Sequence, residues 1–206
     1  MRWLRLGLEQ PVPYELGAAN LANAFSRLML DHEPTILLGQ ALPVVTVGDK
    51  PSDVPAVATA RSGGPTWFGP GVLLVSPVVI ADVAAVHEAL LQAAEATCAE
   101  HGVATARRPH YPGLWVGSAA DGWRKIASIG LAHEGAVVAG GGGLALDVCP
   151  DPHAFDAFDA CSIPGVVMTS LAAETGRTLF VAAVADTLAG HLERLVMPLL
   201  LAPAGS

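Results

Sequence analysis

Two side chains are of types that can take part in covalent chemistry, Lys125 and Cys161. Lys125 lies in the strand-like stretch "WRKIASIGL", where two-residue alternation predicts one face shared with Ala127, Ile129 and Leu131. Burial on such a face would lower the pKa of the amine, and a lysine of this kind can act as a general base. The other interpretation is a lysine that protects an edge strand from aggregation.

Cys161 lies in "FDACSIPGVVMTSL", a predicted loop. Its thiol can act as a nucleophile if a neighbouring base or cation converts it to a thiolate, and otherwise it is inert. Cys98 lies in an amphipathic stretch and is predicted to pack in a core. Cys149, His153 and Cys161 have a spacing that matches no standard zinc pattern, so no metal site is predicted.

The segment from Arg61 to Val72, "RSGGPTWFGPGV", is the glycine-rich segment of the chain. A phosphate-binding P-loop requires G-x-x-x-x-G-K-[ST]. Gly64 and Gly69 have that spacing, but Pro70 and the residue after it replace the lysine and the hydroxyl residue. A nucleotide cradle is therefore not predicted, and a turn between strands or the rim of another kind of pocket stays open.

The composition predicts a folded protein that does not bind nucleic acid. The chain has 206 residues, 52% of them hydrophobic and 15% charged, and a net charge of −8. No uninterrupted apolar run reaches the roughly 18–20 residues of a membrane span, and the N-terminus does not resemble a signal peptide. Three cysteines suit a reducing compartment, so a cytoplasmic protein without a membrane partner is predicted.

Hydrophobic patterning predicts the elements that must hold Lys125 and Cys161. Short apolar runs predict strands at "TILLG", "VVTVG" and "VLLVSPVVI", the last with Pro77 indicating an edge or a bend. Four more runs separated by glycine-rich turns predict an antiparallel meander: "GLWVG", "WRKIASIGLAHEG", "AVVAG" and "GLALDV". Helical spacing is found over Tyr14–His32, between an N-cap at Asp82 and a stop at Gly102, and from about Thr178 to Leu201. These elements predict one α+β domain over residues 1–206, with a mixed, largely antiparallel sheet flanked by helices.

Several motifs, taken in order, resemble those of the octanoyltransferases of lipoate biosynthesis, which belong to the biotin/lipoate protein ligase superfamily. The family's R-G-G-x-x-T-Y-H-G-P-G-Q is similar to the glycine-rich segment, and its P-V-x-T-x-G to "LPVVTVG". Its P-G-V-W-V is similar to "PGLWV", K-I-A-A-I-G to "KIASIG", and H-G-x-A-L-N-V to "GGLALDV". Its P-C-G-I followed by T-S-L is similar to "ACSI" followed by "TSL".

The resemblance implies the class II synthetase-like fold of these ligases and an acyl transfer that needs neither ATP nor a metal cofactor. Cys161 would take an octanoyl group from acyl carrier protein as a thioester, with Lys125 as its activating partner, and pass it to a lysine of a lipoyl-domain protein. The resemblance also implies a set of residues that bind the acyl substrate: Arg61, Thr66, Phe68, Gly69, Pro70, Gly71, Gly142, Gly143 and Ala145.

The chain also departs from the family's motifs at polar positions. The two motif histidines are Phe68 and Gly142, the glutamine is Val72, and the asparagine is Asp147. Ala160 and Ser162 replace the proline and glycine beside the cysteine. Two alternatives therefore accompany the octanoyltransferase interpretation: an acyl- or lipoyl-domain-binding module without turnover, and an ATP-dependent lipoate or biotin ligase.

Docking of an acidic carrier protein to an acidic chain requires a local basic patch. The candidates are Arg107, Arg108 and His110 of "ARRPH", together with Arg124. The alternative is a solvated basic turn without a partner.

Overall fold

A large mixed sheet forms the centre of the computed structural model, which describes residues 1–139 and 142–201. The strands are β1 (Arg2–Leu6), β2 (Thr35–Gly39), β3 (Val44–Val47), β4 (Val57–Ala58), β5 (Thr66–Phe68), β6 (Val72–Ile80), β7 (Ala106–Arg108), β8 (Tyr111–Ser118), β9 (Gly122–Gly130), β10 (His133–Glu134), β11 (Val137–Val138), β12 (Gly143–Asp147) and β13 (Val167–Met168). Side by side, the strands of the large sheet follow the order β1-β2-β6-β12-β9-β8-β7, and β3, β4 and β5 form a separate small sheet. The pairs β1–β2 and β9–β13 are parallel, and the other pairs of the large sheet are antiparallel.

Helices cover both faces of this sheet. They are α1 (Tyr14–Asp31), α2 (Val83–Glu100), the short α3 (Leu171–Thr175) and α4 (Val181–Leu201). Helices α2 and α4 bury one face of the sheet in the main core, whereas α1 packs Leu21 and Leu28 against Leu37 and Val78 on the other face. None of the described helices has the length and apolarity needed to cross a membrane.

The predicted α+β class and the main elements are confirmed. Asp82 caps α2 by accepting a hydrogen bond from the Ala85 amide at 2.8 Å, and Gly102 follows the helix with φ +84°. Strands β8, β9 and β12 form the predicted meander. The run "AVVAG" does not lie between β9 and β12: Val137 and Val138 pair with β10 of the preceding run and with β6. Its last residue, Gly140, lies outside the described residues. The domain span of 1–206 stays a prediction.

Of the two interpretations of Pro77, an edge strand and a bend, the structure contradicts the edge strand. Strand β6 lies between β2 and β12. On the side of β6 that faces β12, the partner strand changes near Pro77: Val75 pairs with Leu144 of β12, whereas Val79 pairs with Val138 of β11. Pro77 therefore falls between two ladders, where the missing N–H removes no bond from either.

Candidate functional site

A cavity of about 230 Å³ lies on the α1 side of the sheet, and its walls are mainly apolar. Its floor crosses β9, β12, β6 and β2, and α1 and the glycine-rich segment form its other walls. Lys125 and Cys161 both line this cavity. The residues of the predicted site that line it with them are Arg61, Thr66, Phe68, Gly142, Gly143 and Ala145.

A β-bulge in β9 determines where Lys125 points. Leu114 of β8 pairs with Ala127, but the next residue, Trp115, pairs with Lys125, so Ile126 is an extra residue in β9. Ile126 and Ala127 both pack in the core under α2 and α4, whereas Lys125 lines the cavity on the opposite face. The predicted face shared by Lys125 and Ala127 is therefore wrong, because the bulge interrupts the two-residue alternation.

The Lys125 side chain is 1% exposed, on a strand that lies between β8 and β12 and so has no edge to protect. Its Nζ donates a hydrogen bond to the Pro112 carbonyl at 2.5 Å and lies 5.1 Å from the centroid of the Trp115 ring. Burial lowers the pKa of Lys125, and the negative charges of a Cys161 thiolate and of Asp147 oppose that shift. The lowered pKa makes the neutral amine, which can accept a proton, more accessible than in an exposed lysine.

Asp147 is buried on β12, within electrostatic reach of Lys125. Burial raises the pKa of Asp147 well above its ordinary value, although the positive charge of Lys125 acts in the opposite direction. The raised pKa favours the neutral carboxylic acid, which has the shape of the asparagine in the resembling motif. The departure at this position therefore preserves the size and polarity of the side chain.

Asp147→Asn is expected to retain acyl transfer and to gain stability relative to the wild type as the pH rises above 3.8, the ordinary pKa of an aspartate. In this pH range the folded wild type holds the Asp147 proton more tightly than the unfolded chain does, so its free energy of unfolding falls with pH, and asparagine removes that loss. Urea unfolding at about pH 4.5 and about pH 8 measures the difference between the two proteins. The exposed Asp31→Asn is the matched control for loss of charge. A gap that does not widen with pH would show that Asp147 ionises freely.

The backbone around Cys161 holds its thiol against the glycine-rich segment. Cys161 has the left-handed conformation, φ 60° and ψ 21°, inside a short 3-10 turn, and its amide donates to the Pro65 carbonyl at 2.7 Å. A Cβ on Gly64 would lie 2.1 Å from the Ser162 Oγ and 2.9 Å from the Cys161 carbonyl carbon. Glycine is thus required at position 64 because two backbones meet there, and no phosphate is needed to explain it.

Arg61 lines the cavity, and its guanidinium is mostly used by the protein itself. It donates to the carbonyls of Thr46, Ser62 and Gly64 at 2.9 to 3.0 Å, which holds the loop in shape. Its buried Nε has no partner among the described residues. Burial lowers the pKa of Arg61, while the negative charge of a Cys161 thiolate raises it. Arg61 therefore also contributes positive potential near the thiol.

Phe68 lines the cavity without closing it. Its ring stacks on Tyr14, with 6.3 Å between the ring centroids, and packs with Ala41 and Ala145. The second substituted position, Gly142, also lines the cavity, where a Cβ would lie 2.5 Å from the Gly130 carbonyl oxygen. Both substitutions replace a histidine of the resembling motif and make this part of the cavity more apolar.

Gly69, Pro70 and Gly71 lie beside the cavity and do not line it. The Gly71 amide donates to Gln40 Oε1 at 2.8 Å, and its carbonyl accepts from the amides of Val148 and Cys149. Pro70 is exposed. These contacts indicate that this part of the segment joins β6 to the end of β12, and substrate binding by these three residues stays a prediction.

The predicted basic patch is largely neutralised or stacked. Arg107 forms ion pairs with Glu88 and Glu95 on α2, and Arg124 forms a two-point ion pair with Glu174. Arg108 lies over the aromatic rings of Tyr111, Trp115 and Trp123, at 4.1 to 6.0 Å from their centroids. Of the four candidates, His110 lines the cavity.

The described residues contain no group of three or more His, Cys, Asp or Glu side chains that could hold a metal ion.

Two neighbours of Lys125 and Cys161, Gly113 and Ser128, were not identified from the sequence. Ser128 Oγ lies 3.5 Å from Cys161 Sγ. Gly113 has φ +99°, and a Cβ there would lie 3.2 Å from Lys125 Nζ and 2.1 Å from the Ala127 carbonyl oxygen. The "PG" of the motif-like stretch "PGLWV" could have indicated the importance of Gly113 from the sequence.

Gly113→Ala is expected to destabilise the protein by about 2–4 kcal/mol and to slow acyl transfer, because the added methyl displaces both the bulge and the lysine amine. Gly122→Ala is the matched control: Gly122 is the first residue of β9 in the same hairpin and has φ +82°, and a Cβ there meets nothing within 4 Å. The control should lose only about 1–2 kcal/mol, the cost of the backbone conformation, and keep its transfer rate. Equal losses in the two variants, by thermal unfolding and by activity, would contradict the assigned contact.

These features, a mixed sheet carrying a buried lysine and a loop cysteine in one apolar cavity, are those of an acyl- or lipoyl-transfer domain. The chain belongs to the family described as the lipoyl protein ligase A/B catalytic domain, whose model matches residues 20–193.

The relatives narrow this class. The chain is 32% identical over 203 residues to an octanoyltransferase of Acidothermus cellulolyticus. The alignment covers 91% of this chain and 89% of that relative. It is 39% identical over 166 residues to an octanoyltransferase of Mycobacterium leprae, and the alignment covers 71% of this chain and 68% of that relative. The expected resemblance to the octanoyltransferases is confirmed.

A solved chain from the bi-partite lipoate protein ligase system of Thermoplasma acidophilum has a TM-score of 0.66 over 96% of this chain and 84% of that chain. Its identity of 13% shows the fold alone. The expected similarity to the lipoate ligase fold is thereby confirmed.

Proposed function

We propose that this protein transfers an octanoyl or related medium-chain acyl group from acyl carrier protein, through a thioester on Cys161, to a lysine of a lipoyl-domain protein. The observation that carries the proposal is the meeting of Cys161 and Lys125 in one apolar cavity, although they come from a loop and from a central strand. The names of the relatives give the acyl group.

In the first half-reaction, the neutral Lys125 amine takes the proton of the Cys161 thiol. The sulfur attacks the carbonyl carbon of the donor thioester, and the tetrahedral intermediate breaks the bond to the carrier's sulfur. The carrier's thiolate leaves with the proton that Lys125 held. The lowered pKa of Lys125 supports this role, because an amine that stayed protonated could not accept the proton.

In the second half-reaction, the amine of the acceptor lysine attacks the Cys161 thioester. The carbon–sulfur bond breaks as the amide forms, and the proton lost by the attacking nitrogen passes through Lys125 to the departing sulfur. The enzyme thus returns to its starting state. Two transfers through one cysteine give ping-pong kinetics.

The cavity supports an acyl cargo. From β9 to β2 it crosses three strand spacings, about 14 Å, on the face that carries Lys125. Its floor has small residues along this path, including Ala145 and Gly39, and its roof includes Phe68 and Leu21. An extended apolar chain bound to Cys161 would lie across the strands and be shielded from water.

Acyl carrier protein as donor is part of the proposal, and so is a cytoplasmic location. Arg107 and Arg124 form ion pairs with carboxylates. Arg108 is therefore the arginine of the predicted patch whose positive charge is least neutralised by carboxylates. Lys50 and His110 line the cavity and add two more basic side chains for an acidic donor. Arg108, Lys50 and His110, rather than the paired Arg107 and Arg124, would therefore form the basic patch that meets an acidic donor.

The direct test is intact-mass analysis of the protein after incubation with octanoyl-carrier protein, followed by peptide mapping of the adduct. We expect one octanoyl group on the peptide that contains Cys161, and its loss when a lipoyl domain is added, with the acyl group recovered on the domain's lysine. An adduct on another residue, or none, would overturn the proposal.

The same assay separates the two alternatives. An ATP-dependent ligase would load the domain from free lipoate or octanoate with ATP and without a carrier protein. A binding module would retain the carrier or the domain on a column and form no covalent intermediate.

A further inference from the structure

The hydroxyl of Ser128 lies beside the Cys161 sulfur. Its Oγ lies 3.5 Å from Cys161 Sγ, an ordinary distance for a hydroxyl and a sulfur atom. Among the described residues it has no other hydrogen-bond partner. The hydroxyl is therefore free to orient its proton towards the sulfur.

The fold directs this side chain to the sulfur through the same strand that carries the lysine. Ser128 pairs with Ala145 of β12 and lines the cavity, as Lys125 does beyond the bulge. The strand thus presents an amine and a hydroxyl on the cavity face. The resembling motif K-I-A-A-I-G has alanine at the position that Ser128 occupies in "KIASIG". The hydroxyl is a feature of this chain that the motif does not require.

We propose that Ser128 is a further catalytic residue, whose hydroxyl donates a hydrogen bond to the Cys161 thiolate. When Lys125 removes the thiol proton, the sulfur becomes an anion in a cavity with mainly apolar walls, where an unpaired charge is costly. A hydroxyl that already lies beside the sulfur supplies a charge-assisted hydrogen bond without reorganisation. The same bond stabilises the thiolate when it leaves in the second half-reaction. This inference rests on the proposed role of Cys161.

The chain offers polar groups near the thiol in place of the two missing histidines. Lys125 and Arg61 contribute positive charge, and Asp147 faces the lysine from β12. None of these is removed by a change at Ser128, so Ser128→Ala isolates the hydroxyl. The substitution is small and preserves the backbone pairing of the strand.

Iodoacetamide alkylation of Cys161, followed by peptide mass analysis, tests the contact without carrier protein or acceptor. In Ser128→Ala the alkylation rate at about pH 6.5 should fall roughly tenfold or more, as expected when a hydrogen bond to a charged group is lost. At about pH 10, above the ordinary pKa of a cysteine side chain, the difference in rate between the two proteins should narrow. An unchanged rate at the lower pH, or an equal fall at both, would overturn the proposal.

Single-turnover formation of the Cys161 thioester should slow by roughly 10- to 100-fold in the same variant. Ser26→Ala, an identical change on the exposed surface of α1, is the matched control and should match the wild type in both assays. If the wild type forms no thioester, the proposed function fails. If it forms one and Ser128→Ala forms it equally fast, the role of Ser128 alone fails.

Discussion

Replacing Cys161 with alanine is expected to remove acyl transfer, with a fall in rate on the order of 10⁴-fold or more. Cys161 is the cysteine that lines the cavity, and the other two thiols cannot replace it. Burial raises the pKa of Cys98 to about 12 and also raises the pKa of Cys149, so neither forms a thiolate readily at neutral pH. Transfer from octanoyl-carrier protein to a lipoyl domain, followed by mass spectrometry, gives the rate.

Cys149→Ala is the matched control for this loss. Cys149 is half-buried and does not line the cavity, so its replacement should leave the rate of transfer unchanged. Substantial transfer by Cys161→Ala would contradict a covalent thioester at this position. Loss of transfer in Cys149→Ala would point to a different nucleophile.

Lys125→Met is expected to lower the rate of thioester formation by about 10²- to 10⁴-fold, the usual contribution of a general base. Methionine fills the space of the side chain but accepts no proton and makes no hydrogen bond to the Pro112 carbonyl. Lys125→Arg is the companion variant, because its guanidinium keeps the positive charge but does not release a proton. Both variants should be slow. A rapid Lys125→Arg enzyme would show that charge, and not proton transfer, is what the site needs.

The same Lys125→Met substitution is expected to raise the free energy of unfolding at neutral pH. Burial lowers the pKa of Lys125 in the folded state, so the unfolded chain binds that proton more tightly than the folded protein does. The wild type therefore becomes more stable as the pH rises from the lowered pKa towards 10.5, the ordinary value, whereas the variant lacks this rise. Its advantage should be largest at the lower end of the range and narrow towards about pH 10.

Urea unfolding of both proteins at about pH 7 and about pH 9.5 measures this difference. Loss of the Pro112 hydrogen bond opposes the gain. A variant less stable than the wild type at neutral pH, with a gap that does not depend on pH, would show that Lys125 is held without a desolvation cost.

The sequence was sufficient for the elements whose signals are local. The Asp82 cap and the Gly102 stop were enough to delimit α2, because a cap acts on amides within one turn of itself. The runs "TILLG" and "VLLVSPVVI" were enough to place β2 and β6. The choice between an edge and a bend at Pro77 could not be made from local sequence, since the gap between β12 and β11 depends on which strands reach that part of β6.

The candidate site could likewise be predicted only in part from the sequence. Residue types and ordered motifs singled out Lys125, Cys161 and the glycine-rich segment, because chemistry restricts which side chains can serve. Their motifs also selected Gly69, Pro70 and Gly71, which only the folded chain shows to lie beside the cavity.

The sequence by itself determined which residues are available for catalysis and which helices and strands carry them. The tertiary structure alone decided that Lys125 faces the cavity, because the bulge at Ile126 exists only through the pairing of β9 with β8. It also decided that Ser128 lies beside the sulfur, since 33 residues separate the two in the chain. Side-chain direction on a strand follows from the register with its neighbour, and no single strand contains that information.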